Sequence, residues 1–293
     1  MTATALARKA DLTGSAFMIL AMALFAVEDA FIKTAARTLP VGEVLMLFGC
    51  GGALVFGLLA RLRGLPLFVP DVLSRPMRIR VVFEVTGRLF YTLAIALIPL
   101  SAATVILQAT PLVVVAGAAV LFGERVGWRR WMAILIGLTG VIVIIRPGSD
   151  GFSGLSLLAV AGMIGFAGRD LASRAAPPTV GTLRLGVYGF CAVIVAGVLV
   201  ALWDGSAFAV PDPVASFGLA GAVTAGVAAY SCLMTAMRTG DVSAVTPFRY
   251  TRLLFGVAMG VALFGERLDL ATWIGSGLIV LSGLFVMWRG RQA

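Results

Sequence analysis

The chain has 293 residues, of which 60% are hydrophobic and 13% charged, with a net charge of +9 and a mean hydropathy of +1.03. Soluble domains carry about 25% charged residues, so water is excluded as the solvent on every side and lipid takes its place. Histidine is wholly lacking, which removes the usual zinc ligand, general base and pH switch together.

One lipid crossing takes about 20 apolar residues. Ten apolar segments follow one another at 13–34, 41–60, 79–98, 101–122, 128–145, 152–172, 182–203, 214–237, 242–264 and 270–288. The uncharged run from Met132 to Ile145 lacks the alternation of barrel strands, so the spans are expected to be helices. The breaks carry loop chemistry at Leu39-Pro40, Gly64 to Pro70, Pro99, Pro147-Gly148, Pro177-Pro178 and Pro211 to Pro213. The fold class expected is an all-α integral membrane protein of ten transmembrane helices, with no room left for a soluble domain.

Arg8 and Lys9 ahead of the first segment imitate a secretory signal. The apolar run continues through Glu28, Asp29 and Phe31 without a small-residue cleavage site, so it reads as the first span. A charge within a span costs about 2.5–3.5 kcal/mol at its centre, which makes every such residue a functional candidate. In span 1 these are Glu28 and Asp29, either a gate or proton-sensitive group or a pair snorkelling to the outer surface. In span 2, Gly51-Gly52 allows close helix contact.

Span 3 holds Glu84 and Arg88 four residues apart on one face, with Tyr91 one turn on. They form either a self-neutralising pair or part of a polar cavity. Span 4 carries Gln108. Arg169 and Asp170 near the end of span 6 read as a terminal ion pair. Span 9 carries Arg249, Tyr250 and Arg252 on adjoining faces. Two like charges need acids, carbonyls or water nearby, and Glu84, Glu28 and Asp29 are the acids at hand. The arginines serve either as structural pairs or as an anion-binding face, for which their bidentate forks suit a carboxylate or phosphate. Gly256 and Gly260 in the same span read as packing within a monomer. Cys50, Cys191 and Cys232 are scattered without ligand spacing and read as small packing residues.

Basic residues give the orientation. With the N-terminus inside, the inner set is Arg8, Lys9, Arg61, Arg63, Arg75, Arg78, Arg80, Arg125, Arg129, Arg130, Arg169, Arg174, Arg184, Arg238, Arg289 and Arg291, which is 16. The outer set is Lys33, Arg37, Arg146 and Arg267, which is 4, and Arg88, Arg249 and Arg252 lie within spans. This bias places both termini in the cytoplasm, explains the net charge without nucleic acid, and fits a multi-pass protein of the inner membrane.

The sequence also repeats. Leu121-Phe122-Gly123-Glu124-Arg125 recurs as Leu263-Phe264-Gly265-Glu266-Arg267, an offset of 142. At that offset Trp131 meets Trp273, Thr104 meets Thr246, Arg88 meets Tyr230 and Gln108 meets Tyr250. Polar groups thus occupy symmetric depths in both halves, as a central cavity requires. Five spans per half invert the second copy relative to the first, a common transporter architecture with the substrate between the halves. Glu124 and Glu266 read as turn or cap residues.

Pro111 in the fourth span, then Leu-Phe-Gly-Glu, then Trp131 seven residues after Glu124, then a glycine-containing apolar span together resemble the EamA repeat of the drug/metabolite transporter superfamily. The second copy departs from the pattern with Leu253 in place of Pro111. The resemblance covers the whole chain, as repeats at 13–146 and 152–288. It implies ten helices in two inverted five-helix units around a central cavity, no cofactor or metal, no catalytic residue, and transport of a small molecule across the lipid bilayer. Similarity to the aromatic amino acid exporter branch implies amino acids, neutral and aromatic included, as cargo. The substrate-binding residues expected are Glu84, Arg88, Tyr91, Gln108, Tyr230, Arg249, Tyr250 and Arg252, with Glu28 and Asp29 as a gate. Neither Lys9 nor Lys33 follows a glycine, so no phosphate-binding Gly-Lys-Ser/Thr loop exists and a gradient must drive the flux. An intramembrane enzyme would need a nucleophile–base pair or carboxylate dyad at depth. The arginine-mingled acids do not resemble one.

Overall fold

The computed structural model describes residues 3–123, 126–146, 153–177, 179–239 and 245–290, and these are helical with short connections. The helices are α1 (Ala3–Ala35), α2 (Val41–Leu62), α3 (Arg75–Leu97), α4 (Leu100–Leu107), α5 (Thr110–Phe122), α6 (Trp128–Ile145), α7 (Ser156–Arg174), α8 (Thr182–Asp204), α9 (Pro213–Thr239), α10 (Thr251–Phe264) and α11 (Leu270–Gly290). Short 3-10 turns occupy Pro70–Leu73 and Thr246–Tyr250. Among the described residues five segments are long and apolar enough to cross a bilayer: Lys9–Ala35, Val41–Leu62, Leu100–Leu121, Thr182–Asp204 and Pro213–Met237. Trp131–Ile145 and Leu270–Val286 are shorter apolar helices. Large apolar side chains such as Leu54, Leu62, Leu202 and Trp203 stand exposed around the bundle, a surface suited to lipid rather than water.

The expected fourth span is present as Leu100–Leu121 but is broken partway into α4 and α5. Pro111 has no N–H to offer the carbonyl of Leu107, and the Thr110 hydroxyl donates to that carbonyl instead, at 2.5 Å. Around the break the amides of Gln108, Ala109 and Leu112 reach carbonyls three residues back, the tighter 3-10 pattern. The ninth span is interrupted at the corresponding place, where the turn at Thr246–Tyr250 runs into α10 and the Thr251 hydroxyl donates to Phe248 O at 2.7 Å. The expected start of that span at 242, like Glu124, lies outside the described residues. Gly123 and Gly265 end α5 and α10 at φ 67° and 63°, a left-handed backbone that glycine adopts without strain.

The two halves interleave. The most extensive helix contacts are α1 with α9, α2 with α8, α3 with α7 and α6 with α11, and α4 also packs along α10. Contacts at glycines trace the direction of each pair. Along α2, Gly42 lies against Gly197 and Ala201, Gly49 against Phe190 and Ile194, and Phe56 against Gly186. Along α3, Phe83, Gly87 and Tyr91 meet Gly168, Gly165 and Gly162. Gly137 and Gly140 meet Ser282 and Gly275, Ala35 and Glu28 meet Gly218 and Gly226, and Ser101 and Thr104 meet Gly260 and Gly256. All five pairs are antiparallel and each joins one half to the other. Gly256 and Gly260 thus serve contacts within the chain. Cys50 and Cys191 are exposed and Cys232 is half-buried, so the first two are not the packing residues expected.

Candidate functional site

The seam between the halves holds two layers of ion pairs. In the first, α1 contributes Glu28 and Asp29, α3 contributes Arg88 and Tyr91, and α10 contributes Arg252. Arg88 Nη1 donates to Glu28 Oε1 at 2.8 Å, and Arg252 Nη2 donates to Asp29 Oδ2 at 2.6 Å. The Tyr91 hydroxyl donates to the same Asp29 oxygen at 3.1 Å. Both acids are 1% exposed, so they do not snorkel to a surface. They sit about two turns from the end of α1, where the guanidinium groups of α3 and α10 meet them. Rings cover the cations: Arg88 lies 5.5 Å from the Phe48 centroid and Arg252 lies 5.1 Å from that of Phe25, geometry that favours a partly desolvated charge. Glu28 Oε2, Asp29 Oδ1, Arg88 Nε and Arg252 Nε are buried without a hydrogen-bond partner, leaving this layer with unused donors and acceptors of both signs.

The second layer lies nearer the start of α3. Glu84 does not pair with Arg88. Its Oε2 lies 3.0 Å from Arg80 Nη2, one turn back, and its Oε1 accepts from Arg169 Nη1 at 3.2 Å. Spacing allowed either arginine, and Glu28 on α1 claims Arg88. Arg169 also grips Asp170 Oδ1 through Nε and Nη2 at 3.0 and 2.9 Å. The terminal ion pair therefore forms, but as the middle of a chain that ends at Arg249, 3.6 Å from Asp170 Oδ2. Arg80 donates through Nε to Ser173 Oγ at 3.0 Å. Arg80 reads as a loop charge in sequence, yet it is 4% exposed. Its four-residue spacing from Glu84 is the signal that marks it.

The remaining candidates divide. Gln108, at the break between α4 and α5, donates through Nε2 to the Arg249 carbonyl at 3.1 Å, so it holds the second layer through backbone. Tyr250 is buried with its hydroxyl unpartnered and packs against Gly283 of α11. Tyr230 stands edge-on to Phe56, one turn along α9 from Gly226, which abuts Glu28. Near the far end of α1, Glu266 accepts from the backbone N–H of Leu100 and Ser101 at 2.6 and 2.9 Å. It is a cap as expected, but for α4 of the other half. Lys33 donates to the carbonyls of Ile95 and Ile98 beside it. Chemically, the seam offers guanidinium forks for a carboxylate and carboxylates for an ammonium group.

Comparison with known proteins bears on this arrangement. The model of the EamA-like transporter family matches twice, over residues 12–146 and 154–288. A riboflavin transporter of Rhizobium johnstonii is 31% identical over 215 residues, 71% of this chain and 68% of that protein. The pseudopaline exporter CntI of Pseudomonas aeruginosa is 29% identical over 280 residues, 92% and 94% of the two chains. An S-adenosylmethionine uptake transporter of Rickettsia bellii is 23% identical over 208 residues, 71% of this chain and 70% of that one. A solved crystal structure superposes with a TM-score of 0.64 at 21% identity, covering 96% of this chain and 98% of its own, which speaks to the fold alone. The relatives are transporters of small molecules rather than enzymes. The chain is a multi-pass membrane protein of the EamA-like transporter family, with two copies of that family's repeat.

Proposed function

We propose that this protein is a secondary transporter that exports amino acids, neutral and aromatic ones included, across the inner membrane by alternating access. The observation that carries the reading is the buried layer of Glu28–Arg88 and Asp29–Arg252, whose four charged groups come from both halves. A zwitterion presents one carboxylate and one ammonium, and the seam offers charged groups of both signs to meet them. Rocking of one half against the other around that site would expose it to each side in turn. In this reading ten helices, as repeats at 13–146 and 152–288, cross the bilayer with opposite orientation around a central cavity. Both termini face the cytoplasm. Glu28 and Asp29 gate the site, and Glu84, Arg88, Tyr91, Gln108, Tyr230, Arg249, Tyr250 and Arg252 line it.

Uptake of a larger metabolite is the second reading, favoured by the likeness to riboflavin and S-adenosylmethionine transporters. Counterflow in proteoliposomes separates the two. Labelled phenylalanine, leucine and threonine should exchange above empty vesicles, and riboflavin and S-adenosylmethionine should not. Exchange of the latter pair alone would overturn amino acid export.

A further inference from the structure

Among the described residues the two charged layers differ in balance. The first sets two arginines against two carboxylates, each pair at 2.8 Å or less. The second sets Arg80, Arg169 and Arg249 against Glu84 and Asp170, which leaves one positive charge over. Arg80 and Glu84 are buried, while the side chains of Arg169, Asp170 and Arg249 are 23–30% exposed, so the excess lies at the open edge of a cluster with a buried floor. Two details show where it resides. Two nitrogens of Arg169 hold Asp170 Oδ1, and Arg249 approaches the other oxygen, Oδ2, at only 3.6 Å, beyond hydrogen-bond distance. Arg80 has a side chain 5% exposed and a buried Nη1 with no partner. A half-engaged guanidinium and an orphaned buried N–H therefore belong to one cluster, fixed by the Ser173 hydroxyl and by the Gln108 bond to the Arg249 backbone.

We propose that the cluster of Arg80, Glu84, Arg169, Asp170 and Arg249 is a subsite for one monovalent anionic group, the carboxylate of the transported molecule. This rests on the amino acid reading above. The carboxylate completes the charge balance of the second layer.

Opposite signs in two variants provide the test. Sodium formate is titrated into purified protein at ionic strength held constant with sodium 2-(N-morpholino)ethanesulfonate, and the thermal unfolding midpoint is followed. Wild type should rise by about 2 °C or more at saturation. Arg249→Gln, which cancels the excess charge, should lose the rise. Asp170→Asn, which doubles the excess, should reach half-saturation at lower formate. A merely structural cluster would respond to neither change in this ordered way. No formate effect in wild type, or equal effects in all three proteins, would overturn the subsite. A second arm uses proteoliposomes. Formate should compete with labelled amino acid for counterflow, and Arg249→Gln should raise the half-saturating amino acid concentration while weakening that competition. Stabilisation without competition would overturn the assignment to the cargo and give the subsite to a free inorganic anion. If amino acids fail to exchange at all, the transport reading falls while the formate titration still decides the subsite.

Discussion

Gln108 donates through its side-chain amide to the backbone carbonyl of Arg249 at 3.1 Å, and so ties the broken fourth span to the broken ninth. Interrupted helices leave carbonyls unsatisfied, and in lipid those must find partners inside the protein. Here a side chain from one break serves the backbone of the other. The positions are related by the 142-residue repeat, since Gln108 aligns with Tyr250, next to Arg249. The two weakest points of the helical framework therefore meet at the candidate site.

Removing that amide should loosen the site rather than unfold the chain. Gln108→Met keeps the length and apolar stem but removes the donor, for a loss of about 1 kcal/mol. Thermal unfolding should register a small change and counterflow a larger one, because the Arg249 loop loses its anchor. Unchanged flux would show that the anchor is dispensable.

Arg88→Ala and Arg252→Ala should each abolish transport. Each also strands a carboxylate that is 1% exposed, a change worth about 3–5 kcal/mol in stability. The double variant Glu28→Gln, Arg88→Gln replaces the ion pair with neutral amides of similar shape. It should recover most of the thermal stability while flux stays lost. Recovery of both would make the pair a structural clamp alone.

Glycine contacts between the halves have little slack. A Cβ at Gly42 would fall 2.7 Å from Ala201 N and 2.8 Å from Gly197 O, both backbone atoms that cannot swing away. Gly42→Ala should cost about 1–3 kcal/mol. Gly277 on α11 has nothing within 4 Å of a built Cβ, so Gly277→Ala should be neutral or stabilising by about 0.5–1 kcal/mol. Melting of the two variants side by side measures the contrast.

Glu266→Ala should uncap α4 across the seam, at about 1–2 kcal/mol. Hydrogen exchange at the amides of Leu100 and Ser101, which now donate to the carboxylate, should accelerate. Unaltered protection there would mean that the cap contributes nothing.

The proposed inverted orientation of the two halves predicts that the Gly123 and Gly265 turns face opposite compartments. Single cysteines at these turns, in a background with Cys50, Cys191 and Cys232 replaced, should react with an impermeant thiol reagent from opposite sides of sealed vesicles. Labelling of both from one side would end the proposed mechanism.

The helical build and the repeat were legible in the sequence, because lipid imposes length and apolarity on the spans and because a 142-residue offset aligns distant segments by identity. The tertiary structure decided the partners. Spacing along α3 offered Glu84 two arginines, and only the approach of α1 and α7 assigned Arg88 to Glu28 and brought Arg169 beside Arg80 at Glu84. Depth was decided in the same way: Glu28 and Asp29 stand within reach of a helix end by position, yet helices from both halves close over them. Local sequence sets which groups a helix face presents. The pairing of faces, and with it the charge left over, depends on helices that are far apart in the chain.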